Sequence, residues 1–274
     1  MTFKIKNDED YYQKIIDIVN NYQYENELIL YFDDDYYILS NFEYRVDIII
    51  LSNISFIGNK NGTIFDYGND RRGEFYFTFI EEKGHKVKFE NIIFSNYITT
   101  NTVYYGYPVI YIYSKSYLFF VEINNCTFQY CTHNLIYFDY DVIFNKQPVT
   151  NEILTITNSK FYNNTERILS VINHSDKKES VKIKMKGCTF YNNRGLFFGH
   201  FVKMIIENCY FSKMDRDSNI NLVMGVFFST GQMPNLLYKI AMFNNDLTIR
   251  NSIFENIDVK SDHPLIVTKG LNLE

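Results

Sequence analysis

Three short stretches carry the side-chain types that acid/base chemistry needs. Asp139 and Asp141, then His174 and Asp176, then His200, each follow an apolar run, one repeat unit apart. An imidazole beside carboxylates can accept and return a proton near neutral pH, so the set is a candidate acid/base site. The competing reading makes these residues turn positions on a solvated rim. Asp33-Asp34-Asp35 offers oxygen ligands for a hard cation, with Asp33 and Asp35 as the candidate ligands. Contiguous Asp side chains cannot all face one ion, which favours an exposed acidic turn and no metal. Tyr105, Tyr107, Tyr111 and Tyr113 gather on one loop and strand, where tyrosine rings would make a ligand-binding surface for sugars. Cys126, Cys188 and Cys209 have no spacing that makes a zinc site and read as buried free thiols. No pattern calls for a cofactor.

What must position these residues is a repeat. An Asn, once a Gly, followed three residues later by Phe recurs at Asn53, Asn91, Asn125, Asn158, Gly187, Asn208 and Asn251. Unequal spacing with a constant motif describes a fixed structural unit carrying loops of variable length. Two and four residues before each motif are apolar, as with Val121 and Ile123, whereas after it the first and third positions are apolar. Strand alternation therefore slips by one residue at the Asn, which makes that position a corner. Such a slip calls for left-handed backbone, which Gly adopts freely and Asn next most readily. The seven residues are read as a structural corner ladder whose amides hydrogen-bond along the stack. The same parity predicts a buried line of Cys126, Ser159, Cys188, Cys209 and Ser252 beneath stacked Phe128, Phe161, Phe190, Phe211 and Phe254. A third apolar run closes each unit, from Thr63-Ile64-Phe65 in the first to Pro264-Leu265-Ile266-Val267 in the last. The shortest unit has room for three short strands but not for a helix.

The motif with its phase slip resembles right-handed parallel β-helices of the pectate-lyase-like superfamily, whose coils stack Asn at one tight turn. The resemblance implies an all-β chain: a single right-handed parallel β-helix, a β-solenoid of three strands per coil and seven to eight coils. Tyr11, Tyr12, Ile15, Ile16, Val19 and Tyr22 fall at helical spacing behind Asp8, Glu9 and Asp10, which predicts an N-terminal capping α-helix. The expected division is a cap over 1–24 and a parallel β-helix domain over 25–274. Residues 27–32 and 36–39 look like the family's hairpin-like first coil. Similar proteins include lyases and hydrolases of acidic polysaccharides, and the hydrolases carry Asn-x-Asp, Asp-Asp, Gly-His-Gly and Arg-x-Lys on successive coils. This chain has only Gly199-His200-Phe201 as a broken fragment, and Arg45, Arg71, Arg72, Arg167, Arg194, Arg216 and Arg250 share no register with carboxylates.

Net charge is −5 and the basic residues are scattered, which argues against nucleic acid as a partner. The acidic N-terminus and the lack of a long apolar window predict no export address and no membrane span. The sequence assigns no compartment, although the resembled family is mostly extracellular. Two function classes stand. One is a non-catalytic scaffold or surface-recognition module for polysaccharide or another protein. The other is a polysaccharide lyase or glycoside hydrolase with a divergent site at Asp139, Asp141, His174 and His200. An enzyme should bring a carboxylate–His or carboxylate–Arg pair into a groove, whereas a scaffold should leave the third-strand face flat and unpaired. Only 269–274 follow the last apolar run, too few to cover a final coil, which predicts a longer product or end-to-end self-association.

Overall fold

Apolar alternation broken by a left-handed residue at fixed points winds this chain into a parallel coil. The computed structural model describes residues 1–24, 27–41, 43, 45–98, 108–141, 151–174, 181–199, 201–214, 227–230, 245–257, 266–267 and 271–273. Among them the strands form three parallel sheets of ten, eight and eight. One coil shows the plan, with Phe119–Asn124 in the first sheet, Thr127–Gln129 in the second and Ile136–Tyr140 in the third. The next coil repeats it in register with Glu152–Thr157, Lys160–Tyr162 and Leu169–Asn173. Eight such coils run from Glu27 to Val267.

The first sheet extends one strand beyond the coils at each end. Thr2–Ile5 pairs in parallel with Glu27–Phe32, and Leu271–Leu273 pairs with Asn245–Arg250. Between Thr2–Ile5 and the first coil, the helix Tyr11–Tyr22 buries Tyr11, Ile15 and Val19. It is fastened over the coil by the Tyr11 hydroxyl, which donates to the Ile38 carbonyl, and by Tyr22 packed 4.8 Å from the Phe3 ring. The first coil is no hairpin. Glu27–Phe32 and Tyr36–Ile38 lie in different sheets, each paired in parallel with the coil below.

The first corner is left-handed at Asn91 (φ 57), Asn125 (φ 50), Asn158 (φ 51), Gly187 (φ 66), Asn208 (φ 54) and Asn251 (φ 49). Their backbone N–H groups keep the ladder running through the bend, as with Asn125 N–H to the Thr157 carbonyl at 3.0 Å. Amide contacts along this corner are broken rather than continuous. Asn125 Nδ2 donates to Asn91 Oδ1 at 2.7 Å, while Asn158 reaches Asn124 Oδ1 at 3.3 Å.

Asn53 is not a corner. It begins the first-sheet strand Asn53–Gly58, and its Oδ1 accepts the Lys86 N–H at 2.9 Å. Register places Gly58 beside Asn91 and Thr63 beside Ile92, so the corner of that coil is the longer segment 58–62. Gly62 there is left-handed (φ 95), and a Cβ on Gly58 would meet the Asn91 carbonyl oxygen at 2.1 Å. Thr63-Ile64-Phe65 therefore belongs to the second sheet. The third strand of that coil is Glu74–Phe79.

Inside the corner the Phe residues stack. Phe128, Phe161, Phe190 and Phe211 are fully buried, with successive centroids 5.2, 4.8 and 4.5 Å apart and planes within 5°. Cys126, Ser159, Cys188 and Cys209 are buried in line with them, whereas Ser252 and Phe254 near the last coil are half-buried. A second left-handed corner follows at Tyr130, Asn163, Asn192, Lys213 and Asn256. The residue after each of the first four, namely Cys131, Asn164, Asn193 and Met214, turns inward and is buried.

Asn164 is thus an internal clamp rather than a loop residue. Its Nδ2 donates to Asn193 Oδ1 at 2.9 Å and to the Phe128 carbonyl at 3.0 Å, and its Oδ1 accepts the Cys131 N–H at 3.1 Å. Replacing Asn164 by Ala strands several buried backbone and amide groups at once and should cost about 3 kcal/mol or more. Asn163→Gly, which keeps the left-handed backbone, should cost under about 1 kcal/mol. Equal losses for the two variants in urea unfolding would refute this division of roles.

Candidate functional site

Alternation along the third sheet sends every second side chain outward, and parallel register places those side chains in columns. Tyr76, Tyr111 and Tyr137 form one such column. Their rings stack with centroids 4.5 and 5.0 Å apart. From the coil before, the Arg45 guanidinium lies 4.3 Å from the Tyr76 ring centre. Ring faces are therefore used on one another and on Arg45, and the column offers ring edges and hydroxyls to the outside. Ser170 continues the column beside Tyr137, and its Oγ is buried without a hydrogen-bond partner.

Two residues past Tyr137, Asp139 faces the same way. Its Oδ2 accepts the Tyr111 hydroxyl at 2.9 Å, and His174 Nε2 lies 3.5 Å from its Oδ1 without hydrogen-bond alignment, which leaves Oδ1 a buried acceptor with no donor. Burial pushes the Asp139 carboxyl above the ordinary carboxylate range, with the Tyr111 hydroxyl and His174 opposing and Asp141 adding to the rise. The Tyr111 phenol is pushed up in turn, first by burial and then by the Asp139 charge. Asp141 Oδ2 accepts the Tyr113 hydroxyl at 3.5 Å. Asp139, His174, Tyr111, Asp141 and Tyr113 thus share one face. His200, Asp176, Tyr105 and Tyr107 lie outside the described residues.

The sequence placed no Arg in register with a carboxylate, and the structure corrects this. Arg45 stands directly opposite Glu74 on the adjacent strand, and its Nε lies 2.9 Å from Asp47 Oδ1. Arg45 and Asp47, with Glu43 and Arg72, line an open depression of about 410 Å³ at the end of the tyrosine column. The third-sheet face is therefore paired rather than bare, the arrangement expected of an enzyme and not the flat, unpaired face expected of a scaffold. Tyr76 and Glu74 escaped the sequence reading because it makes Thr63-Ile64-Phe65 the third strand in place of Glu74–Phe79. Ser170 carried no signal of its own.

The Asp33–Asp35 turn spends its carboxylates in three directions. Asp33 Oδ2 takes Lys6 Nζ at 2.6 Å, Asp34 Oδ2 takes the Asn7 N–H at 2.6 Å and Asp35 Oδ1 takes Asn59 Nδ2 at 2.6 Å. The Lys6 ammonium holds the Asp33 carboxyl below its ordinary range. Among the described residues no three His, Cys, Asp or Glu side chains converge as metal ligands. All four cysteines, Cys126, Cys131, Cys188 and Cys209, are free and buried. Burial pushes the Cys126 and Cys131 thiols up to about 12, so neither supplies a thiolate near neutral pH.

No curated protein and no solved structure matches the chain. The family described as the right handed beta helix region matches residues 108–270, more than half of the 274. That span includes Tyr111, Asp139 and Ser170 and the in-register coils that place them. With three parallel sheets wound through eight coils, this chain belongs to the right-handed β-helix family.

Proposed function

We propose that this chain is a non-catalytic β-solenoid recognition module that binds carbohydrate along the outer face of its third sheet. One observation carries the reading: the stacked Tyr76–Tyr111–Tyr137 column turns ring edges and hydroxyls to the outer face, with the Asp139 carboxyl bonded to the Tyr111 hydroxyl beside it. A polyol seated on the column would meet tyrosine hydroxyls and ring edges in a row. Coils ~4.8 Å apart present the tyrosine hydroxyls as a regular row, which suits a repeating ligand. The Tyr111 bond to Asp139 Oδ2 and the Tyr113 bond to Asp141 Oδ2 favour holding over turnover, since each ties one oxygen of a carboxylate to a neighbouring tyrosine.

A second reading rests on the His174–Asp139 approach at 3.5 Å, a pairing from which a lyase or hydrolase could draw an acid/base residue. Glycoside hydrolysis asks for two carboxyl groups flanking the scissile bond, one of them free to act as nucleophile or base. Reducing-sugar release from pectin, polygalacturonate or xylan tests it. The recognition reading expects none, and any trace activity should change less than tenfold in Asp139→Ala or His200→Ala. Clear release abolished by either change would establish the enzyme.

A glycan array followed by calorimetry tests the recognition reading itself. A bound oligosaccharide should lose at least tenfold in affinity with Asp139→Asn or Tyr111→Ala and keep it with Lys203→Ala on the first sheet. Absence of any glycan ligand, or binding indifferent to Asp139 and Tyr111, would refute it. The hydrogen bond behind the site has its own check. Tyr111→Phe removes a donor that holds the Asp139 carboxyl down, so its titration, followed by carbon-13 NMR, should move to higher pH. A downward or absent shift would mean that Tyr111 does not hold Asp139.

A further inference from the structure

Strand Glu74–Phe79 opens with an acid in an apolar place. The residues one position before the paired Phe75, Ile110, Ile136, Leu169, Phe197 and Phe228 stack as a column: Glu74, Val109, Leu135, Ile168, Leu196 and Phe227. All are buried, and Glu74 is the one ionisable member. Neither of its carboxyl oxygens has a hydrogen-bond partner among the described residues. Among the described residues, the charged and titratable groups that face it are Arg45 and Asp47 from the preceding third-sheet strand, Tyr67 from Thr63–Asp70 and Tyr97 from Ile92–Tyr97. Tyr67 is itself buried with an unpartnered hydroxyl.

Among the described residues, Arg45 is the cation within reach. It stands opposite Glu74 in register, across a strand spacing of ~4.8 Å, yet its guanidinium lies on the Tyr76 ring and on Asp47. Burial raises the Glu74 carboxyl to about 8 against the pull of Arg45, which leaves it protonated at neutral pH. A carboxylate cannot stay unpaired in an apolar column, so ionisation demands a partner.

We infer that Glu74 is a proton-controlled latch on Arg45. Protonated Glu74 leaves the guanidinium on Tyr76 and Asp47. When the carboxyl gives its proton to solvent, the guanidinium is drawn to Glu74 and the terminal ring of the tyrosine row is bared. The consequence for ligand binding rests on the recognition reading above, whereas the latch does not.

The sign of the stability effect follows. The folded chain keeps this proton above the pH at which the unfolded chain, with an ordinary glutamate, has lost it. The stabilisation is complete below the ordinary glutamate value and declines as pH rises through about 8. Wild type should therefore melt lower at pH 9 than at pH 6, and Glu74→Gln should lessen that drop.

The test is carbon-13 NMR of the Glu74 carboxyl and the Tyr76 ring between pH 6 and 9, on wild type, Glu74→Gln and Arg45→Met. In wild type the two signals should move together with a midpoint near 8. The Tyr76 movement should vanish in both variants. A Tyr76 ring silent in wild type, or titrating alike in Glu74→Gln, would overturn the latch. Should Glu74→Gln fail to fold, Arg45→Met decides alone: Glu74 must still titrate while Tyr76 stays silent, and a moving Tyr76 ring refutes the proposal. Measuring glycan affinity at pH 6 and 9 separates the two claims. Binding absent at both pH values while Tyr76 still moves would remove the recognition reading and leave the latch standing.

Discussion

Two strands that must both point apolar residues inward cannot be joined by one residue of ordinary β conformation, because their alternations are out of phase. A left-handed residue resolves the mismatch, and this chain uses one at two corners of most described coils. Everything else leans on that bend. It sets the register in which Phe128, Phe161, Phe190 and Phe211 stack, and so creates the core. It also fixes the outward columns, because a residue's neighbours in a parallel solenoid are its counterparts one coil earlier and later. Gly187 among Asn residues fits a requirement of the backbone rather than of a side chain.

Much of this was legible because the constraint is written in residue types at fixed offsets. Asn91 to Asn251 announced the first corner through parity alone. The second corner was harder, since Tyr130 and Lys213 interrupt the Asn found at Asn163, Asn192 and Asn256, so the residue type is not constant. Asn164 and Asn193 read as loop because polarity is an unreliable guide once a buried amide has every bond met. The early coils misled for a related reason. Where the corner lengthens to Gly58–Gly62 the short motif disappears, and the chance resemblance of Asn53-Ile54-Ser55-Phe56 took its place. That one misplaced corner pushed Thr63-Ile64-Phe65 into the wrong sheet, and with it Glu74, Tyr76 and the register of Arg45 went unseen.

The candidate site was legible in part. Proximity of Asp139 and His174 followed from their place at the ends of third runs, because strands in register bring such positions together. What spacing could not reveal is how neighbouring columns use each other up. Tyrosines one coil apart stack on their own faces, so a cluster that suggests a platform becomes a row of edges and hydroxyls. Burial of Asp139, likewise, depends on how the Tyr111 side chain lies over it, which no count of residues along the chain contains.

In-register stacking rewards likeness for some side chains and penalises it for others. Amides and aromatic rings gain from an identical neighbour, whereas like charges repel. On the first sheet several charges meet the opposite sign on the next coil, as with Lys86 and Glu122 at 3.2 Å, Lys184 and Glu207 at 3.2 Å, and Lys203 and Asp246 at 3.0 Å, although Lys182 stands opposite Lys203. Such exposed pairs are worth under about 1 kcal/mol each, so their value lies in avoiding repulsion rather than in adding strength. Glu74 departs from this rule. Its register partner Arg45 is the right sign but points to Asp47 and Tyr76, and a carboxyl that lacks its counter-ion inside an apolar column can persist only by keeping its proton. The same stacking that makes the fold regular therefore makes one ionisable group conditional on pH.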